Sequence, residues 1–217
     1  MQEVSFNTTW KKSDFERQGR LGKGGFGTVW NMKEKATSLQ VAIKEMDYYT
    51  ETEKNDVNSE VAILLKVYEI LHKSNSSSSF LHIVQPLGFF MDEDEYKAYI
   101  VLEHCSKGDL RNYINSMKEN GTQISTEKAF EMIGQIASSL YQLHSNGILH
   151  LDLKPENVLL VEGFKVKLAD FGLARQLQVG REYITAHGGT LLYQSPELLQ
   201  NQRIINNESN QTTQKTQ

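Results

Sequence analysis

The chain has 217 residues, of which 39% are hydrophobic and 23% charged, and its net charge at pH 7 is −4. That length and apolar content suffice for one or two globular domains with a real core. Without a basic excess there is no reason to expect nucleic acid or an anionic membrane surface as a partner.

The cysteine content and the N-terminus narrow the cellular setting. Cys105 is the single cysteine, which excludes an intrachain disulfide and is typical of a reducing compartment. Met1–Lys12 contains no apolar core of a signal peptide, and no apolar run approaches the roughly 18 residues of a membrane span. We therefore expect a soluble intracellular protein, in the cytoplasm, without a membrane partner.

Three predicted strands surround a glycine-rich turn near the start of the chain. Residues 1–14 are polar, show no clear period and predict a lead-in. Phe15–Leu21 is predicted as a strand, β-branched and aromatic residues predict a second at Thr28–Met32, and Val41–Lys44 is a third. Residues 22–29 read GKGGFGTV, which is the pattern G-x-G-x-x-G-x-V.

Such a glycine pattern occurs in dinucleotide-binding units, in hairpins that cover phosphates and in plain hairpins. Without a Cβ, the backbone N–H groups can approach phosphates closely. In a dinucleotide-binding Rossmann unit the glycines open a helix, whereas here a strand follows them. The pattern therefore favours a hairpin over phosphates, and a plain hairpin is the alternative.

The next elements are a long helix and two more strands. The helix is predicted at about Glu53–Lys73, and the serine-rich residues 74–79 form a surface loop without assigned function. Ile83–Met91 and Ala98–Glu103 are predicted strands, joined by acidic residues 92–95. The helix carries an apolar stripe at spacings of three and four: Val57, Val61, Leu64, Val67, Tyr68 and Leu71.

The second half of the chain is predicted to be mainly helical. One helix starts at Asp109, and a longer one covers Ser125–Asn146, where Asn146-Gly147 ends it. Asn157–Val161 and Lys165–Leu168 predict a short strand pair. The longer helix is interpreted as a core helix because six apolar residues keep helical spacing: Phe130, Ile133, Ile136, Ala137, Leu140 and Leu143.

The segment His150–Asn157, HLDLKPEN, gathers polar groups suited to phosphoryl transfer. Asp152 can take a proton from an attacking hydroxyl, and Lys154 can neutralise a phosphoryl group. Asn157 and Asp170, the latter in Asp170-Phe171-Gly172, offer the oxygen ligands that Mg²⁺ prefers. A polar turn stiffened by proline is the alternative interpretation.

These motifs, in this order, resemble the catalytic domain of eukaryotic protein kinases of the serine/threonine type, over about Phe15–Leu199. The resemblance implies an α+β, two-lobed fold, with a five-stranded antiparallel small lobe at 15–103 and a mainly helical large lobe at 104–199. It implies ATP-dependent phosphoryl transfer to serine or threonine of a protein substrate, with ATP and Mg²⁺ as cofactors.

The resemblance also assigns the nucleotide site. It implies that Lys44 contacts the α- and β-phosphates and pairs with Glu60, and that residues 103–105 form the hinge behind the gatekeeper position Leu102. Asp109 has two open roles, as an acceptor from the ribose hydroxyls or as a helix cap. The implied nucleotide-binding residues are Leu21, Gly22, Gly24, Gly27, Val29, Ala42, Lys44, Glu103, Cys105, Asp109 and Leu159.

The segment after Asp170 resembles the activation loop and carries the substrate preference. Thr190 matches the threonine that bonds the catalytic Asp and Lys in serine/threonine kinases, and Lys154 indicates the same specificity. Leu151 stands where most of these kinases have the arginine that receives an activation-loop phosphate. We therefore expect activity not to require phosphorylation of Tyr183 or Thr185 acting through the catalytic loop.

The chain ends soon after Ser195-Pro196-Glu197, so we expect an incomplete large lobe. The arginine that normally pairs with Glu197 and a central helix of the family have no counterpart, and residues 200–217 are predicted to be a polar, disordered tail. Exposed apolar surface on the Ser125–Asn146 helix and marginal stability follow from this interpretation. A truncated kinase-like nucleotide-binding or regulatory module with little or no turnover is thus the alternative function.

Overall fold

The computed structural model describes residues 6–25, 27–74, 80–177, 189–196 and 198–199. Several predictions concern positions outside this range, and the structure leaves them as predictions. They are the serine run at 75–79, the phosphorylation candidates Tyr183 and Thr185, the partner of Glu197 and the tail at 200–217.

Five antiparallel strands form the sheet of the small lobe, in the order β1-β2-β3-β5-β4. β1 and β2 meet at the glycine-rich turn, where Gly24 pairs with Gly27. The strands are β1 Phe15–Gly24, β2 Gly27–Glu34, β3 Gln40–Asp47, β4 Pro86–Asp92 and β5 Lys97–Glu103.

The N-terminal segment adds to the edge of this sheet. Asn7 donates its N–H to Leu87 O at 2.8 Å and accepts from Phe89 N at 3.0 Å. Trp10 then meets Phe15 edge to face, with ring centroids 5.4 Å apart. The sequence predicted only a lead-in here, because two aromatic residues in a polar stretch give no period.

Helix α1, Glu51–Ser74, packs against the sheet through the predicted stripe. Thr50 and Glu53 exchange bonds at its start: Glu53 N donates to Thr50 Oγ1 at 3.2 Å, and Thr50 N donates to Glu53 Oε2 at 2.7 Å. This capping box satisfies two backbone donors at the helix N-terminus. The stripe residues Val57, Leu64, Val67 and Leu71 are buried, and Val61 and Tyr68 pack on them.

The predicted strand Ile83–Met91 was wrong at its start, because β4 begins at Pro86. The preceding residues bond instead to a strand of the large lobe: Val84 N donates to Leu168 O at 2.9 Å, and Leu168 N donates to His82 O at 2.9 Å. Ile83 is apolar and buried in either arrangement, so its type could not distinguish the two pairings.

Two helices and two strands of the large lobe, α2, α3, β7 and β8, agree with prediction to within a few residues, and two short strands are additional. Asn157 belongs to a 3-10 turn at Pro155–Asn157, not to the predicted strand, because Pro155 sets the turn. The elements are α2 Leu110–Glu119, α3 Thr126–Ser145, β6 Ile148–Leu149, β7 Val158–Val161, β8 Lys165–Leu168 and β9 Arg175–Gln176. β7 pairs with β8, and β6 pairs with β9.

Helix α3 buries one face, and part of its predicted core lies outside that face. Met132, Ser139 and Leu143 are buried where the helix packs on β6 and β8. Phe130 and Ile133 are 69% and 60% exposed and Ala137 is also exposed, so these three residues do not belong to the core of the described part of the chain. Their exposure agrees with the apolar surface that was expected on this helix. None of the helices among the described residues has the length and apolarity needed to cross a membrane.

Candidate active site

The carboxylate of Asp152 accepts four hydrogen bonds from three residues. Lys154 Nζ and Asn157 Nδ2 donate to Oδ2 at 2.6 and 3.0 Å. The N–H and the hydroxyl of Thr190 both donate to Oδ1 at 3.1 Å. Lys154 also donates to Thr190 Oγ1 at 2.9 Å, so the lysine, the threonine and the acid form a closed network.

This network sets the protonation state of Asp152. Burial raises the pKa of the carboxyl, but the hydrogen bonds from Lys154 and Thr190 outweigh burial, so the pKa lies below its ordinary value. The acid is therefore ionised at neutral pH and held in one orientation. That is the state a proton acceptor needs.

A second cluster lies at the base of the glycine-rich hairpin. Lys44 Nζ donates to Glu60 Oε1 at 2.7 Å and to Asp170 Oδ1 at 2.9 Å. Burial lowers the pKa of Lys44, but the two carboxylates outweigh it and raise the pKa above its ordinary value. The lysine is therefore a fixed cation, and Glu60 from α1 is the predicted partner.

The turn Asp170-Phe171-Gly172 packs against the cluster of Lys44 and Glu60. Asp170 has a left-handed backbone with φ 61°. Phe171 is buried, with its ring centroid 5.0 Å from that of His150, whose Nε2 donates to Ala169 O at 3.1 Å. A Cβ on Gly172 would lie 3.1 Å from Glu60 Oε2, so a side chain there would press on the Lys44 cluster.

The glycines of the hairpin differ in what surrounds them. Gly27 has φ +128°, and a Cβ on it would lie 2.2 Å from Glu45 O. A Cβ on Gly22 or Gly24 would meet no protein atom within 4 Å. Protein packing therefore requires glycine at position 27, whereas at 22 and 24 the space above the backbone is open to a ligand.

The remaining predicted nucleotide residues lie on the strands β1, β2, β3 and β7. Val29 lies opposite Lys44 in the β2–β3 register, and Ala42 lies opposite Asn31. Across the cleft, Leu159 forms an isolated bridge with Asp109. Leu21, at the other edge, is exposed on β1. That these residues line one nucleotide cleft between the two lobes stays a prediction.

Two of the predicted nucleotide-binding side chains, Asp109 and Cys105, are already engaged with the protein. Asp109 caps α2, accepting from Asn112 N at 2.8 Å and from Asn112 Nδ2 at 2.6 Å, so the capping role is the one observed. Cys105 is buried, and burial raises its thiol pKa to about 12, which does not suit a nucleophile. A contact of Asp109 with ribose stays a prediction.

The donor set at the mouth of the cleft fits Mg²⁺. Asn157 Nδ2 is committed to Asp152 O at 2.8 Å and to its carboxylate, so a cation could be held only by the amide oxygen, and Asp170 offers a carboxylate oxygen. In the described part of the chain, no three His, Cys, Asp or Glu side chains are grouped to hold a metal. One carboxylate and one amide suit Mg²⁺, which is usually shared with substrate phosphates.

A comparison with known families gives one match that spans most of the sequence. Residues 15–211 match the family described as protein kinase domain. The chain belongs to the protein kinase family. This confirms the resemblance drawn from the motif order, and with it the α+β, two-lobed fold class. The five-stranded antiparallel sheet is the small lobe, and α2, α3 and the short strands belong to the large lobe.

Curated relatives of this kinase domain carry the same family assignment in their names. "Probable serine/threonine-protein kinase nek2" of Dictyostelium discoideum is 36% identical over 188 residues, 84% of this chain and 42% of that protein. "Interferon-induced, double-stranded RNA-activated protein kinase" of Mus musculus is 33% identical, covering 86% and 36%. "Serine/threonine-protein kinase fused" of Drosophila melanogaster is 35% identical, covering 84% and 21%. The chain thus spans less than half the length of these relatives.

Sequence reasoning missed a partly buried ion pair behind the hinge. Lys167 Nζ donates to Glu103 Oε1 at 2.5 Å and to Ile83 O at 3.3 Å, while Gln85 N donates to the same Glu103 oxygen at 2.7 Å. The side chain of Glu103 therefore faces away from the nucleotide cleft, toward β8. A lysine between two fully buried apolar neighbours in Lys165–Leu168 was the available signal, because such a lysine needs an acidic partner.

Proposed function

We propose that this kinase domain transfers the γ-phosphoryl group of ATP to serine and threonine hydroxyls of protein substrates. The observation that carries the proposal is the network in which Thr190 and Lys154 hold the carboxylate of Asp152. The proposal divides the lobes at residues 15–103 and 104–199. It sets the protein in the cytoplasm, since a chain whose single cysteine is free and buried suits a reducing compartment.

In this proposal Asp152 acts on the acceptor. Its carboxylate takes the proton of the substrate hydroxyl while that oxygen bonds to the γ-phosphorus and the bond to the bridging β–γ oxygen breaks, which leaves ADP. Lys154 lies within 2.6 Å of the carboxylate and can offset the negative charge that builds on the transferring group. Positioning and charge compensation supply most of the catalysis in such a reaction.

The small lobe holds the nucleotide. Lys44, oriented by Glu60, places a fixed cation at the phosphates, and the open backbone at Gly22 and Gly24 allows N–H groups to reach them. Asn157 and Asp170 would hold Mg²⁺, which supplies charge neutralisation at the phosphate oxygens when bound. The apolar side chains of Val29, Ala42 and Leu159 form the slot for adenine.

The proposed preference for serine and threonine hydroxyls of the substrate rests on Thr190. Its hydroxyl bonds both Asp152 and Lys154, so the end of the segment that resembles the activation loop lies close to the base. A short serine or threonine side chain of a substrate would reach Asp152 only if the substrate backbone lies near this segment. Lys154 two residues after the base supports the same specificity.

Asp152→Asn tests the proposal, because the amide keeps the size of the side chain and cannot accept the proton. Phosphoryl transfer to a serine peptide should fall by roughly 10²–10⁴-fold, and the affinity for MgATP should stay within about twofold of wild type. Glu162→Gln, in an exposed loop of the same lobe, is the control and should leave both unchanged. Loss of ATP binding by Asp152→Asn would contradict its role as base. A wild-type chain that binds ATP without phosphorylating serine or threonine peptides would favour the regulatory alternative.

A further inference from the structure

Arg111, in the first turn of α2, contacts both segments that flank the proposed base. Its Nε donates to Glu156 Oε1 at 2.9 Å, and its Nη2 donates to the hydroxyl of Tyr193. Glu156 belongs to the catalytic loop, four residues after Asp152. Tyr193 follows by three residues the Thr190 whose N–H and hydroxyl bond that acid.

The side chains of Arg111, Glu156 and Tyr193 can hold two segments of the chain together, and we call these contacts the clamp. A guanidinium presents its N–H donors as a planar fork, so one arginine can hold two acceptors in fixed directions. Burial raises the pKa of Glu156, but the hydrogen bond from Arg111 outweighs it and keeps the pKa below its ordinary value. The carboxylate therefore stays ionised and orients the arginine toward the hydroxyl of Tyr193, a neutral partner.

Hydrogen bonds within residues 189–194 also order the segment that contains Tyr193. Tyr193 N donates to Thr190 O at 2.8 Å, and Gln194 Nε2 donates to Gly189 O at 3.2 Å. Both contacts are internal to residues 189–194. Thr190 bonds Asp152 and Lys154, and Tyr193 bonds Arg111, so both residues link the segment to the rest of the lobe. Thr190 supplies two of the four hydrogen bonds on Asp152.

We propose that Arg111 is a positioning residue that anchors the segment 189–194 to the catalytic loop through Tyr193, without a phosphate. Leu151, where an arginine would receive a phosphate, cannot supply that anchor. Leu191 and Leu192 are exposed on the anchored segment beside the base, so a protein substrate would meet them next to its acceptor residue. The proposal rests on the proposed kinase function and adds how the substrate side of that site is held.

Arg111→Ala and Tyr193→Phe test the clamp by steady-state kinetics with a serine peptide. Each should raise the KM for peptide roughly fivefold and leave the KM for ATP unchanged, since the clamp lies on the substrate side. The double variant should be no worse than either single variant, because each change already removes the shared contact. Arg111→Lys keeps the charge without the fork and should recover only part of the loss.

Lys107→Ala is the matched control, because Lys107 forms an exposed ion pair with Glu162 at 2.9 Å in the same lobe. It should leave the peptide KM unchanged. Additive losses in the double variant, or equal effects of Arg111→Ala and Lys107→Ala, would overturn the proposal.

Amide hydrogen exchange separates the clamp from the kinase function. The Tyr193 amide, bonded to Thr190 O, should exchange faster in Arg111→Ala and in Tyr193→Phe than in wild type or Lys107→Ala. This result would support the clamp even if wild type failed to phosphorylate peptides, in which case the proposed function alone would fail. Unchanged exchange at Tyr193 in Arg111→Ala would overturn the clamp whatever the activity.

Discussion

Asp152 and Asp170 are two acids at one cleft with different partners. Asp152 receives four hydrogen bonds from neutral and cationic donors and is nearly enclosed by them. Asp170 pairs with Lys44 and is a third exposed at its side chain. The exposed carboxylate can take up an external ligand, whereas the enclosed one is suited to a single proton transfer at a fixed position.

Asp170→Asn is expected to separate metal binding from nucleotide binding. Wild type should bind ATP more tightly with Mg²⁺ than without it, and the variant should lose roughly tenfold or more of the affinity measured with Mg²⁺. Lys44 keeps Glu60 as a partner, so the fold should hold. Titration of ATP with and without Mg²⁺, for both proteins, gives the answer. Equal affinity in all four measurements would exclude the metal role of Asp170.

His150 should make the stability depend on pH. Burial lowers its pKa below the ordinary value of 6.5, with hydrogen bonding to Ala169 only partly opposing this. Between the folded and the unfolded pKa the unfolded chain binds more protons, so the free energy of unfolding rises with pH there. The stabilisation is present above about pH 6.5 and is lost as the pH falls below it.

His150→Phe removes the titrating group and keeps an aromatic ring against Phe171. The change in melting temperature between pH 7.5 and 5.5 should therefore shrink in this variant. His144→Phe, at an exposed position of α3, should retain the wild-type difference. An unaltered pH dependence in His150→Phe would show that other groups govern acid stability.

At the scale of elements, the β1–β2 hairpin contains two glycines with different roles. Gly27 is required by protein packing, and Gly24 leaves space for a ligand. Gly27→Ala forces a side chain into a backbone carbonyl and into a left-handed conformation, so it should cost about 2 kcal/mol or more of stability. Gly24→Ala meets open space and should change the unfolding free energy by less than about 0.5 kcal/mol. The same change should weaken ATP binding, because the added methyl stands where phosphates must approach.

Urea denaturation and ATP titration of both variants check this assignment. Normal ATP affinity in Gly24→Ala would contradict a phosphate position above the hairpin. A stable Gly27→Ala would contradict the contact with Glu45 O.

At the scale of the whole molecule, one apolar core joins the two lobes. It runs from Leu64 and Leu71 on α1, through Ile83 and Phe171, to Leu143 on α3. The backbone bonds between residues 82–84 and β8 lie in the same region. The Lys44 cluster and the Asp152 network are therefore held by parts of a continuous structure, with Phe171 in the core and Asp170 at the cleft.

The two faces of α3 should respond differently to substitution. Leu143→Ala opens a cavity at a fully buried site and should cost about 2–5 kcal/mol of unfolding free energy. Ile133→Gln replaces an exposed apolar side chain and should change that free energy by less than about 0.5 kcal/mol. Chemical denaturation of the two variants compares the faces directly. A large loss in Ile133→Gln would mean that this face is covered in solution.

The sequence by itself determined the order of the elements and the positions of Lys44, Glu60, Asp152, Asn157 and Asp170. These signals lie close together in the sequence. Reactive side chains stand at fixed short spacings, apolar periodicity identified α1, and Asn146-Gly147 marked the end of α3. The structure brings Lys44 into contact with Glu60 and Asp170, and Asp152 into contact with Asn157. Their roles in transfer and metal binding stay predictions.

Only the tertiary structure decided which distant side chains meet. Arg111 contacts Glu156 and Tyr193, which lie 45 and 82 positions further along the chain, and an exposed cation on a helix has no local signal that names its partners. The pairing of Ile83 with β8 and the exposure of Ile133 have the same origin. Apolar residue type favours burial, but which surface covers each side chain depends on how the elements pack.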